Sequence, residues 1–198
     1  QAGTEMNVSE TYLAAVGMVL EGKLDPGFTA KLLVLPTVSE LVEEMPVCDF
    51  VSATEARNLL KKEIATRYEA GLTRLYDQLN DSLPYSKDLQ SIARRTLKNV
   101  VLSYLVASGK EEHLETAFSQ FRTTDNMTDS QAALSLLADT DNKHREEALQ
   151  RFYETWKADP LVMDKWLAVQ AQSSRKEVLD DILRLESDPV YDAKNPNR

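Results

Sequence analysis

The chain has 198 residues, a net charge of −9, 42% hydrophobic residues and 28% charged residues, with a pI near 4.8. That balance suits a soluble chain with a real core and excludes a disordered one; an acidic chain without a Lys/Arg stripe is also excluded as a nucleic-acid binder. The one cysteine, Cys48, excludes an internal disulfide and a multi-cysteine zinc site, and no apolar run is long enough to span a membrane.

Start signals and apolar spacing predict helices over about 8–21, 26–35 and 38–46. Asp25-Pro26 opens the second of these, because Asp caps and Pro at the first helical position needs no N–H. "KLLVLP" (31–36) also suits a strand, but no partner strand is evident. Thr37-x-x-Glu40 matches a capping box, in which the hydroxyl and the carboxylate satisfy two orphan N–H groups reciprocally. Ser52-x-x-Glu55 opens a long one-faced stripe to residue 80, carried by Ala56, Leu60, Ile64, Tyr68, Leu72, Leu75 and Leu79. A second stripe over 86–107 carries Leu89, Ile92, Leu97, Val101, Tyr104 and Leu105. Shorter helices are predicted at about 110–121, 128–138, 142–157, 160–171 and 174–185. Their start signals include Ser108-x-x-Glu111, Asp159-Pro160 and Ser174-x-x-Glu177; Asp188-Pro189 and Asn195-Pro196 read as further starts.

The fold class read from this is all-α: about ten antiparallel helices with short loops, in an irregular, solenoid-like array of the ARM/HEAT kind. No repeat of fixed period is present. The domain reading is a single helical unit, 1–198, with 52–80 and 86–107 as its central hairpin.

The ionisable inventory offers no catalytic set. His113 and His144 lack a histidine partner at helical spacing, so H-E-x-x-H is absent and no zinc site is expected. Both, being flanked by charges, are expected on exposed helix surfaces. Cys48 is expected to be a buried or half-buried inert thiol. Glu43-Glu44, Glu111-Glu112 and Glu146-Glu147 are read as solvated faces, because neighbours on a helix point about 100° apart. The basic run Arg94, Arg95, Lys98 is read the same way. Phe118/Phe121 and Phe152/Trp156 have core spacing.

"LVMDKW" (161–166) is the exception, a charged pair inside an apolar helix. Asp164 and Lys165 either pair with residues of a neighbouring helix or line a cavity. Spacing favours pairing, since ionic residues in largely buried helices are usually paired.

"LVMDKW", preceded by "NMTDSQAALS" (126–135) and followed by "NPNR" (195–198), resembles the C-terminal helical domain of the aminopeptidase N family, in its bacterial-type branch. "KLDPGFTAKLLVLPTVSEL" (23–41) and "IARRTLKNVVLSYL" (92–105) resemble it too, in the same order, so the resemblance runs from Tyr12 to Arg198. These enzymes are zinc-dependent alanyl aminopeptidases whose H-E-x-x-H lies in an upstream catalytic domain. The resemblance implies that this chain is a non-catalytic piece of the larger C-terminal domain, truncated after Arg198, with the zinc held elsewhere in the parent. In such enzymes this domain closes over the active site and restricts entry to peptides with free N-termini. Its partner would be the catalytic domain of the same polypeptide, and a detached piece would expose an apolar face able to dimerise. Location would be cytoplasmic, or organellar given an upstream transit peptide. The residues singled out for the cavity wall or the domain interface are Asn126, Met127, Thr128, Asp129, Met163, Asp164, Lys165, Trp166 and Arg198; the alternative for them is buried contacts between neighbouring helices. The rival reading of the whole chain is a free-standing helical scaffold that binds peptides or proteins.

Overall fold

The computed structural model describes residues 7–81 and 83–194. Among the described residues all regular structure is α-helical, in eleven helices. They group into two compact units, 1–110 and 111–198.

The first unit holds α1 (Glu10–Glu21), α2 (Pro26–Leu33), α3 (Val38–Glu43), α4 (Phe50–Arg67), α5 (Glu69–Leu79) and α6 (Leu89–Ala107). Asp25 caps α2 by accepting the Phe28 N–H at 3.0 Å. At α3 the predicted capping box is complete: Thr37 Oγ1 accepts the Glu40 N–H, and Glu40 Oε2 accepts the Thr37 N–H. "KLLVLP" is helical to Leu33 and then extended. The Ser52 box does not form. The stronger acceptor Asp49, three residues earlier, takes the Ser52 N–H at 3.0 Å and the Ser52 hydroxyl at 2.7 Å, so α4 starts at Phe50.

The stripe predicted as one helix over 52–80 is two helices, interrupted at Tyr68 with φ −111° and ψ 17°. The apolar period runs through the break, and so do the backbone bonds Tyr68 N–H to Ile64 C=O and Leu72 N–H to Tyr68 C=O. What the pattern could not carry is the side chain: the Tyr68 hydroxyl donates to the Leu13 carbonyl of α1 at 2.6 Å.

Helix α6 packs on α2, α4 and α5, so the central hairpin is α6 with both halves of the broken stripe, and with α2 added. Val101, Leu102, Tyr104 and Leu105 are at most 2% exposed. The Tyr104 hydroxyl donates at 2.5 Å to the Leu33 carbonyl, an otherwise orphan acceptor at the end of α2. Ser108 closes α6 rather than opening the next helix: its N–H and hydroxyl both donate to the Leu105 carbonyl, and Gly109 follows at φ +77°. The basic run on α6 is not one solvated face either. Lys98 is buried, Arg94 pairs with Asp81, and the Arg95 guanidinium sits 4.8 Å from the Tyr85 ring centroid.

The second unit holds α7 (Glu111–Thr123), α8 (Met127–Ala138), α9 (Arg145–Trp156), α10 (Pro160–Ala171) and α11 (Val178–Leu185). Its core is built where α8 meets α7, α9 and α10, with α11 laid on α10. Ala117, Leu134, Leu137, Phe152 and Met163 are all at most 1% exposed. Phe118 and Phe121 are buried as their spacing predicts, whereas Trp156 is 36% exposed. Ser174 and Glu177 make no capping box: the Ser174 N–H donates to Asp139, and α11 starts only at Val178. Asp188-Pro189 forms a turn, with Asp188 Oδ1 accepting the Val190 N–H. Asn195-Pro196 lies outside the described residues.

Candidate functional site

Helix α10 begins as the sequence predicts. Asp159 Oδ1 accepts the N–H groups of Leu161 and Val162, ahead of Pro160 at the first helical position. Its buried face is Met163, Trp166, Leu167 and Gln170, an i, i+3, i+4, i+7 stripe. Leu161, in the first turn, is 77% exposed. The Trp166 indole N–H donates to the Leu149 carbonyl of α9 at 3.0 Å, so the aromatic anchor of "LVMDKW" is a helix-to-helix tie. Asp164 is half-buried and Lys165 exposed. The two therefore point into different surroundings. Asp164 lines a groove of about 250 Å³ between α10 and α11, walled by Leu167, Ala168, Ile182, Leu185 and Tyr191. That volume falls short of the roughly 300–1,000 Å³ of small-molecule pockets and suits a single inserted side chain.

The second motif is local. Asn126 Oδ1 accepts the Asp129 N–H at 2.9 Å, an N-cap bond, and Asn126 Nδ2 donates to Asp129 Oδ2 at 3.2 Å, a second tie between the two side chains. Asp129 is 2% exposed, and its carbonyl accepts from Gln120 Nε2 of α7 at 3.1 Å. Met127 is half-buried and Thr128 exposed. The motif thus fixes the α7–α8 corner. Helices α8 and α10 pack on each other, so both motifs belong to one helical layer. Arg198 lies outside the described residues.

Both histidines are buried rather than exposed: His113 at 5% and His144 at 8%. The His144 ring stacks on Phe118 with centroids 4.2 Å apart, so apolar burial of the imidazole wins over its charged sequence neighbours. Its Nε2 lies 3.1 Å from Glu115 Oε2, off-line for an N–H···O bond; among the described residues it is the buried side-chain polar atom left without a hydrogen-bond partner. Lys143 bridges Glu111 at 3.0 Å and Glu115 at 2.5 Å. The Lys143 ammonium holds the Glu115 carboxyl below its ordinary range, and Glu115, with Glu111, raises the lysine in return. Cys48 is exposed, not buried, in the segment between α3 and α4.

A family model described as "Domain of unknown function (DUF3458_C) ARM repeats" matches residues 1–198. The chain belongs to this family. Aminopeptidase N of Caulobacter vibrioides is 32% identical over 190 residues, covering 96% of this chain and 22% of that protein. Aminopeptidase N of Escherichia coli is 33% identical over 195 residues, 98% of this chain and 22% of its own length. The crystal structure of Legionella pneumophila aminopeptidase A in complex with aspartic acid matches with a TM-score of 0.86 at 28% identity, over 98% of this chain and 24% of that one. The chain spans about a fifth of the length of the curated relatives it matches.

The DUF3458_C match agrees with the resemblance to the helical C-terminal domain of aminopeptidases drawn from the short motifs, and with an all-α array. The zinc set implied by that resemblance, H-E-x-x-H, does not occur in this sequence, and His113 and His144 do not share a group of metal-ligating side chains among the described residues. The residues present do not fit that catalytic group, and no chemical step is assigned to them. Two features of this DUF3458_C chain escaped the sequence reading. One is the group Glu111, Glu115 and His144, whose only linear signal is the i, i+4 spacing of the two glutamates. The other is a buried ionic knot: Asp181 accepts from Arg145, Arg175 and Arg184, which lie three to thirty-six residues away in sequence.

Proposed function

We propose that the chain is a non-catalytic helical domain of a zinc aminopeptidase, the parent enzyme releasing N-terminal residues from peptides. The domain packs on the catalytic domain of the same polypeptide and narrows the way to its active site. The observation that carries this reading is the whole-chain family match, joined to about one-third identity with a fifth of aminopeptidase N. Leu161, Leu179 and Leu183 in the second unit, and Phe28, Phe50 and Val51 in the first, are each more than half exposed and would be available to a covering domain.

Within this reading the two motifs divide their work. Met163, Trp166, Asn126 and Asp129 hold helices in place, because their polar or aromatic groups are engaged inside the second unit. Asp164 on the groove wall, with Lys165, Met127 and Thr128 nearer the surface, would meet the cavity or the catalytic domain.

The test is hydrolysis of aminoacyl anilides. The full polypeptide that carries this chain should release the anilide in a chelator-sensitive way, and the purified chain should release none. Hydrolysis by the chain alone, or a parent polypeptide indifferent to chelator, contradicts the proposal.

A further inference from the structure

We propose that Glu111, Glu115 and His144 form a binding site for a divalent transition-metal ion of the zinc type, with Lys143 as the resident cation of the metal-free chain. The three donors converge: one carboxylate oxygen from each glutamate and one imidazole nitrogen all lie within 4.8 Å of one another. A single ion bound at about 2.0–2.2 Å by each ligand needs only a small closing movement from there. Glu111 and Glu115 are 56% and 48% exposed in their side chains, so both can make that movement. They stand one turn apart on α7 and project on the same side. His144 comes from the turn before α9, where Asn142 Oδ1 accepts the His144 N–H at 2.9 Å and fixes the backbone.

The histidine separates this group from an ordinary acidic patch. Its side chain is 10% exposed and stacked on Phe118, and its Nε2 is turned toward Glu115 without an aligned hydrogen bond. A buried ring nitrogen left this way costs free energy unless a partner arrives. The Lys143 ammonium is engaged with the two carboxylates, and His144 Nε2 receives no hydrogen bond from it. A metal ion can satisfy the two carboxylates and the imidazole together. Imidazole with carboxylates is a donor set suited to zinc-like ions, whereas calcium and magnesium take oxygen ligands alone.

Lys143 marks where the positive charge belongs. Its ammonium bridges Glu111 Oε1 at 3.0 Å and Glu115 Oε1 at 2.5 Å. The side chain is 59% exposed on a flexible stem, so an arriving dication displaces it into water without disturbing the fold. Metal binding therefore competes with the lysine, and removing the lysine strengthens it.

Calorimetric titration of the purified chain with zinc chloride, in a non-chelating buffer at neutral pH, tests this. One saturable site is expected. Lys143→Ala should tighten it by about tenfold and His144→Gln weaken it by at least about tenfold, the scale on which even outer partners of a metal site act. Since His144 is buried and its variant could misfold, the exposed double variant Glu111→Gln/Glu115→Gln is the second measurement. It should keep its helical circular dichroism and lose the site. Absence of a saturable site in the wild type, binding only in Lys143→Ala, or binding that survives the double substitution each overturns the proposal.

Discussion

The Arg145 guanidinium and the Asp181 carboxylate meet at 2.6 Å, their side chains 5% and 9% exposed, and so join the start of α9 to α11. Arg145 Nε also donates to the carbonyl of Ala138, the last residue of α8, and Arg175 reaches Asp181 at 2.9 Å. Three helices thus depend on one carboxylate. Replacing Asp181 by Ala removes the shared acceptor of two largely buried guanidiniums, which keep Glu146 and the Ala138 carbonyl for Arg145 and Asp141 for Arg175. It should destabilise the second unit by about 1–3 kcal/mol. Arg184, also bonded to Asp181 but 57% exposed, should cost under about 1 kcal/mol when changed to Ala. Urea denaturation of the two variants measures the difference, and equal effects would show that burial does not govern the knot.

Gly17 is required by Tyr68. A β-carbon at position 17 would lie 2.8 Å from the Tyr68 hydroxyl oxygen, and that hydroxyl is tied to the Leu13 carbonyl. Gly17→Ala improves helix propensity by about 1 kcal/mol yet should destabilise by about 1–3 kcal/mol through overpacking. The loss should shrink in a Tyr68→Phe background, which removes the crowded oxygen. A double-mutant cycle reads the coupling. Additive effects would contradict the contact.

Tyr104 gives the first unit an alkaline limit. Burial raises its hydroxyl well above the ordinary 10.0. The raised value means that folding favours the neutral phenol. This contribution is whole below the unfolded-state value of about 10 and is lost as pH rises from there toward the folded value. Tyr104→Phe should cost about 1 kcal/mol at neutral pH, from the lost bond to Leu33. It should also flatten the fall in stability above pH about 10. Denaturation midpoints from pH 8 to 11 check both, and an unchanged alkaline slope counts against a buried neutral Tyr104.

Capping chemistry made three helix starts legible. Asp25-Pro26, Thr37/Glu40 and Asp159-Pro160 act where the pattern places them, because a cap is a local hydrogen bond. The failures are local competitions as well. Asp49 outcompetes Ser52, and Ser108 closes a helix because Gly109 at φ +77° follows it. The break at Tyr68 was hidden because the apolar period runs through it, and the partner of the Tyr68 hydroxyl, the Leu13 carbonyl, is distant in sequence. His113, His144 and Lys98 were misplaced for one reason: charged neighbours on a helix point elsewhere and say little about the face their own residue occupies. Cys48 was misplaced in the opposite sense, because its apolar character does not bury it in a short connecting segment. The Asp181 knot joins residues from three segments and has no linear signature.

Asp164 and Lys165 should separate by function more than by stability. Lys165→Ala, at an exposed position, should change the folding free energy by no more than about 0.5 kcal/mol. Asp164→Ala at the groove wall should shift the melting temperature of the chain more than Lys165→Ala does. A larger shift from Lys165→Ala would place the lysine, not the aspartate, in the packing of α10.

The central claim is that this helical domain governs access to an aminopeptidase site carried by the same polypeptide. The direct measurement is release of the N-terminal residue by that full polypeptide from two substrates: a short peptide, and a stably folded protein bearing the same N-terminal sequence. The account predicts rapid release from the peptide and at least about a hundredfold slower release from the folded protein, a difference of roughly 2.7 kcal/mol in the barrier. Comparable rates on both substrates would contradict it.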